Sequence, residues 1–281
     1  MDLSHIKESR RVLASLGYSE RVYLINRDFW VDCPQCTKVE RIIKNMLNSG
    51  GMSPAPCLLV CGEPGAGKTS IIDKIRSDYE GSYGGIAFMS LAENPDGLRF
   101  REQLLVALGL PPKSLSNPGK IPNGLEKYLQ LRGIKGLIID EFHDGLLAQK
   151  VEQRKVLSLL KTLTAAPFFL SIMGFGTLSA LNALQHDAQL ERRFEVVKIL
   201  PWSEGDEFRS FLASVEENLP LRKESKLYSQ EVVKYLLSKT NGTMDEVLKE
   251  IKFGAIHAIK SGEEKITVES MKLGASLRWD Y

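Results

Sequence analysis

Apolar positions fall into two periods along the chain. Between residues 57 and 200, short continuous apolar runs recur at Cys57–Cys61, Ile86–Leu91, Leu137–Asp140, Phe168–Met173 and Val196–Leu200. Such runs, bounded by glycine, proline or polar turns, predict strands buried on both faces. Between them lie stretches of helical period at Thr69–Tyr79, Arg99–Leu108, Gly124–Leu131, Val151–Leu163 and Thr177–Leu184. Alternating strand and helix predict a parallel sheet covered by helices, an α/β core.

The flanks read differently. Before residue 50, Ser4–Leu16 and Thr37–Leu47 carry the helical period, with the apolar patch Phe29-Trp30-Val31 between them. Gly50, Gly51, Pro54 and Pro56 then break the chain. After residue 200 the pattern is all helical, at Glu204–Val215, Ser229–Lys239, Met244–Ser261 and Val268–Ala275. The expected organisation is a helical segment over 1–50, an α/β core over 51–200, and a small helical domain with a tail over 201–281. The segment from Pro111 to Asn123 is rich in loop formers and predicts a surface loop.

Composition changes this picture little. A chain of 281 residues, 43% hydrophobic and 26% charged, is an ordinary globular protein with ample core. A net charge of +2 is too small to imply nucleic-acid binding, so any such contact needs a local basic patch. No run is long and apolar enough to span a bilayer, so no membrane role is expected. Four cysteines without a leader-like segment suggest a reduced cytoplasmic protein.

The chemistry concentrates after the first strand. Gly62-Glu63-Pro64-Gly65-Ala66-Gly67-Lys68-Thr69-Ser70 fits the phosphate-loop pattern G-x-x-x-x-G-K-[ST], and it follows a strand and opens a helix as that motif requires. Backbone N–H groups there wrap phosphates, Lys68 reaches the β- and γ-phosphates, and the Thr69 hydroxyl is a Mg²⁺ ligand. The strand Leu137-Ile138-Ile139 ends in Asp140 and Glu141. Asp140 suits Mg²⁺, and Glu141 is placed to polarise an attacking water as general base. ATP and Mg²⁺ are therefore the expected ligands, and hydrolysis the expected reaction. His143 is a candidate relay of nucleotide state, or a histidine capping the next loop. Thr177, after the fourth strand, is a candidate γ-phosphate sensor with Ser171 second; Thr177 equally suits a helix N-cap. Arg193 beside Phe194 suits an arginine finger acting on a neighbouring subunit's nucleotide, or Arg192 and Arg193 form a surface arginine pair.

Together these motifs resemble an AAA+ ATPase, with an N-terminal helical segment and a helical lid. Leu137-Ile138-Ile139-Asp140-Glu141-Phe142-His143-Asp144, Gln189-Leu190-Glu191-Arg192-Arg193-Phe194, Leu200-Pro201-Trp202 and Leu219-Pro220-Leu221-Arg222 further resemble the TniB/TnsC group of transposon ATPases, from about Arg21 to Ile266. The resemblance implies a bacterial cytoplasmic regulator that binds ATP and assembles head-to-tail on double-stranded DNA, as a helical filament or ring. It also implies recruitment or activation of a DDE transposase and contact with a TniQ-like target-selection protein. Another AAA+ class, such as a helicase loader or clamp-loader-like switch, fits the nucleotide motifs equally. The chain departs from the pattern in two places. Its phosphate loop is more glycine-rich, and no arginine follows Asn241-Gly242 in the lid, where only Lys249 and Lys252 stand nearby.

Weaker signals complete the reading. Arg99, Arg101, Lys113 and Lys120 lie between the two nucleotide motifs and are candidates for salt-dependent phosphate contacts to DNA, or a solvated face. Cys33, Cys36, Cys57 and Cys61 can be written as a zinc site, but the last two fall on a core strand. Phe29-Trp30-Val31 suits adenine packing or the core, and the tail with Trp279 and Tyr281 suits a partner groove or folding back on the lid.

Overall fold

The computed structural model describes residues 3–27, 29–49, 52–79, 85–92, 94, 96–112, 121–147, 150–185 and 187–277. The chain begins with a 3-10 segment, Glu8–Ser15, then helices α1 (Tyr18–Asn26) and α2 (Pro34–Asn48). Next come β1 (Cys57–Gly62), α3 (Lys68–Tyr79), β2 (Ile86–Ser90), α4 (Phe100–Ala107), α5 (Leu125–Leu131) and β3 (Gly136–Asp140). Helices α6 (Phe142–Leu146) and α7 (Lys150–Thr164) lead to β4 (Ser171–Gly176), α8 (Leu178–Leu184), α9 (Ala188–Glu191) and β5 (Phe194–Ile199). Four helices close the chain, namely α10 (Asp206–Glu216), α11 (Gln230–Thr240), α12 (Met244–Ser261) and α13 (Val268–Ser276).

Among the described residues, five strands form one sheet in the order β2-β3-β4-β1-β5, and their pairings are parallel. β4 therefore lies between the strand that precedes the phosphate loop and the strand that ends in Asp140. Strands β1 and β4 are buried along their whole length, as continuous apolar runs in a helix-covered sheet require. The fourth strand begins three residues later than the pattern suggests. Phe168 packs against the core from the preceding loop, and Phe169 is half-exposed at φ 49°. The strand proper carries Gly174, against which the Phe142 ring rests so closely that a Cβ would stand 2.2 Å from its Cδ1. The aromatic pair thus stays in the loop ahead of the strand, and the glycine-bearing stretch beyond enters the sheet.

The division of the chain corrects the sequence reading at its first boundary. Residues 1–34 and 201–281 form one compact unit, and residues 35–200 the other. The first 50 residues are thus not a separate segment. Helix α2 is part of the core, where Leu47 reaches the backbone of Gly136 at the start of β3. The residues before it pack on the C-terminal helices. Arg21 makes a buried two-pronged ion pair with Glu264 at 2.7 Å through both terminal nitrogens. Arg21 also donates to the Pro220 carbonyl, and Arg222 donates to the Ala14 carbonyl at 3.0 Å. Leu219 and Leu221 are buried, so the run Leu219-Pro220-Leu221-Arg222 is the dock for the N-terminal segment. Burial pushes the Glu264 carboxyl up, but the hydrogen bonds and charge of Arg21 prevail and hold it below its ordinary value.

In the same unit Trp202 stacks on Phe208 and Phe211, and its backbone N–H donates to the Gly242 carbonyl at 2.8 Å. Gly242 has φ 73°, and a Cβ there would lie 2.1 Å from the Trp202 carbonyl oxygen. The Asn241-Gly242 pair thus serves a close backbone contact, and Lys249 nearby is paired with Asp245 and Glu246 on its own helix. No described helix is long and apolar enough to cross a membrane.

Candidate nucleotide site

The carboxyl ends of β1, β3 and β4 are neighbours, and the phosphate loop, Asp140 and Thr177 follow these three strands. After β1 the chain turns through Gly65 and Gly67, at φ 76° and 86°, a region in which a side chain is strained. The loop then delivers Lys68 to the first turn of α3, whose leading N–H groups have no acceptor within the helix and carry its positive dipole end. Lys68 is buried, and its ammonium donates to the carbonyls of Gly62 and Glu63 at 2.9 and 3.0 Å. Glu63, Pro64, Gly65, Thr69 and Ser70 are exposed, Ala66 and Gly67 half-buried. The loop is therefore an open cradle around a tethered cation.

Thr69 connects this loop to β3. Its hydroxyl donates to Asp140 Oδ2 at 3.0 Å. The other Asp140 oxygen accepts the Glu141 backbone N–H at 2.9 Å. Glu141 itself sits in the left-handed region, at φ 50° and ψ 42°. A glutamate rarely adopts that conformation, and it persists only where its surroundings enforce it. Here Asp140 pins the N–H on one side, and fully buried Phe142, stacked near Phe194, anchors the other. The turn throws the Glu141 carboxylate away from the strand, toward His143, whose Nδ1 lies 3.1 Å from Glu141 Oε2.

Two hard oxygen donors on facing elements, Thr69 and Asp140, fit Mg²⁺. No group of three or more His, Cys, Asp or Glu side chains that could hold a metal ion occurs among the described residues. Zinc has no support from the cysteines. Cys57 and Cys61 are free thiols inside β1, and burial pushes their pKa values up to about 12 and about 11. Cys33 and Cys36 are disulfide-bonded, which corrects the expectation of four reduced thiols.

Thr177 follows β4 and so emerges between the phosphate loop and the Asp140 strand. It is the N-cap residue of α8 by position, but its hydroxyl pairs with Ser179 at 2.5 Å and makes no capping bond. Ser171 is at the other end of the same strand and lines an apolar cavity of about 330 Å³ with Leu47, Leu129, Ile134 and Phe168. A sensor role for Ser171 is thereby removed, because the true strand starts with this residue rather than ending near it.

Arg193 also lies at the amino end of the sheet. Its carbonyl accepts the Cys57 N–H, and its guanidinium donates to the Lys161 carbonyl at 3.0 Å and to the Thr164 hydroxyl, at the end of α7. β1 separates it from the phosphate loop by six residues, roughly 20 Å of strand, so it cannot reach its own chain's phosphates. Arg192 beside it is exposed, and its side chain has no partner among the described residues. Of the candidate DNA contacts, Arg99 is exposed ahead of α4, and Arg101 is half-buried, its pKa pushed down first by burial. Lys113, Lys120, Trp279 and Tyr281 lie outside the described residues.

Comparison with known proteins decides the family. The model for bacterial TniB proteins matches residues 21–204. The chain belongs to the TniB family. No curated protein matches it. Among solved structures, the TniB chain is similar to the ORC1 protein of Aeropyrum pernix in complex with DNA, at a TM-score of 0.64 and 15% identity over 91% of this chain and 68% of that one. It is also similar to the ORC2 protein of the same organism, in its ADPNP-ADP complexes, at 0.61 and 16% over 90% and 70%. A Walker-type ATPase of Pyrococcus abyssi gives 0.57 and 15% over 87% and 71%. At these identities the likeness establishes the fold alone, an α/β phosphate-loop nucleotide-binding fold shared with these proteins. The sequence stretch that carries the family model includes both Asp140-Glu141 and Arg192-Arg193.

Proposed function

We propose that this TniB-family ATPase hydrolyses ATP to ADP and phosphate, and that nucleotide state governs its assembly on double-stranded DNA during transposition. The observation that carries the ATPase reading is the Thr69–Asp140 bond, which brings the phosphate loop and the acidic strand to one point with Glu141 beside it. Thr69 and Asp140 would hold Mg²⁺, which would supply charge shielding for the phosphates. The N–H groups at the head of α3 and the Lys68 ammonium hold the phosphates, and the Glu141 carboxylate takes a proton from the attacking water. Thr177, between the two motif strands, is positioned to report the γ-phosphate.

The arginine pair at the amino end of the sheet supports completion of the site in trans. Arg193 cannot serve its own chain, whereas a head-to-tail neighbour would present that end to the next phosphate loop. Heterologous contacts of this kind give rings when they close and helical filaments when they do not. The family supports the wider role, in which the oligomer on DNA recruits or activates a DDE transposase and meets a TniQ-like protein. Imaging the purified protein with a slowly hydrolysed ATP analogue and duplex DNA tests this reading. Continuous helical assemblies on DNA are expected. Discrete rings formed equally without DNA would replace it with a loader or clamp-loader-like switch.

A further inference from the structure

His143 is placed to control the residue that the proposed hydrolysis depends on. Its ring lies at the carboxyl end of β4, in a space left by Gly176, where a Cβ would stand 3.3 Å from both the His143 N–H nitrogen and Nδ1. Nδ1 is shielded from solvent yet makes no hydrogen bond, although Glu141 Oε2 is only 3.1 Å away. The distance is right and the direction is not. On the other side Nε2 faces Asp144 Oδ1 at 3.6 Å, too far for a hydrogen bond. The side chain of His143 is 20% exposed, that of Glu141 34% and that of Asp144 55%, so the Glu141 side, where Nδ1 is buried, is the more sheltered.

A buried ring nitrogen without a partner is costly, and it lies next to a carboxylate that can rotate to meet it. Hydrogen bonds within catalytic groups are commonly misaligned until the reacting complex forms. The backbone favours this pairing. Glu141 is locked in its left-handed conformation by Asp140 and Phe142, so its side chain alone is free to turn, and the Asp144 N–H donates to the Glu141 carbonyl at 2.9 Å to close the turn around the pair.

We propose that His143 is a positioning residue for ATP hydrolysis, whose Nδ1–H donates to Glu141 Oε2 and aims the other carboxylate oxygen at the attacking water. The proposal rests on the assignment of Glu141 as general base. It gives the two ring nitrogens unequal roles, because Nδ1 faces the base and Nε2 faces an exposed carboxylate. Asparagine places its amide nitrogen near the Nδ1 position, and glutamine places its amide nitrogen near Nε2.

The test compares His143→Ala, His143→Asn, His143→Gln and Glu141→Gln in steady-state hydrolysis, binding of a fluorescent ATP analogue and thermal melting. His143→Ala is expected to lower kcat on the order of 10- to 100-fold with KM and analogue affinity unchanged, the range that misplacing one catalytic group produces. His143→Asn is expected to recover most of the rate, and His143→Gln is expected to stay near the alanine variant. Wild-type kcat in a normally melting His143→Ala, or equal losses for Asn and Ala, would overturn the positioning role. If the alanine variant does not fold, the Asn-against-Gln difference decides alone. A wild-type rate in Glu141→Gln would instead remove the general base, and the positioning role with it.

Discussion

The two ends of the same sheet are built to opposite rules. At the carboxyl ends of β1, β3 and β4, backbone turns are strained or glycine-dependent, polar atoms converge, and Lys68 is held by the loop's own carbonyls. At the amino ends, Ser171 borders an apolar cavity, and Arg193 is bonded to the last turn of α7. One end keeps its functional groups available at a cost in backbone strain. The other end uses the same kinds of groups to finish helices and close the core. Within a single chain, a polar residue near a strand therefore serves the phosphate site or the architecture according to which end it occupies, and periodicity along the chain does not distinguish the two.

The sharpest way to break this contrast is Lys68→Ala. It should weaken ATP binding by about 100-fold or more while leaving melting close to wild type, since among the described residues the lysine bonds only to its own loop. A loss of stability comparable to a core truncation would place Lys68 among the architectural residues instead. Arg193→Ala should do the reverse within a monomer. Removing a cation and two hydrogen bonds from a helix C-terminus should cost about 1–2 kcal/mol in denaturant unfolding, with ATP binding retained. Arg192→Ala should leave unfolding unchanged. Whichever of the two variants also abolishes the concentration-dependent part of hydrolysis carries the finger, and if neither does, the trans completion fails.

The smallest effect concerns Asp187 at the start of α9. The hydrogen bond from Lys161 is the main cause that holds its carboxyl below the ordinary value, against a smaller push upward from burial. A depressed carboxyl stabilises the fold above its unfolded pKa, and the contribution is lost as pH falls through the folded value. Asp187→Asn should therefore lower stability by a few tenths of a kcal/mol near neutral pH, and the difference from wild type should vanish in acid. Equal gaps at pH 7 and pH 3 would show that the aspartate matters as a helix cap rather than through its charge.

Much of the core was legible in the amino-acid order. The alternation of apolar runs with helical stretches, the loop Gly62–Ser70 and the acidic strand end all announce themselves within a dozen residues, because backbone hydrogen bonding and side-chain periodicity are local. The shifted start of β4 shows the limit. Phe168 and Phe169 look more like strand than Gly174 does, but pairing with β3 and the need to admit the Phe142 ring select the glycine-bearing stretch. Helices α1, α6 and α9 were not anticipated because they are short and rest on tertiary contacts more than on propensity.

The sequence by itself determined that the chain is a phosphate-loop ATPase core followed by helices, since a loop that binds phosphate and a strand that ends in carboxylates are made by adjacent residues. Only the tertiary structure decided that Arg21 joins Glu264 across most of the chain, that Arg193 faces away from its own phosphate loop, and that the Glu141 carboxylate rests against His143. Each of these is a contact between groups brought together by packing. Its energy depends on burial and direction, and neither is encoded in the spacing of the residues that make it.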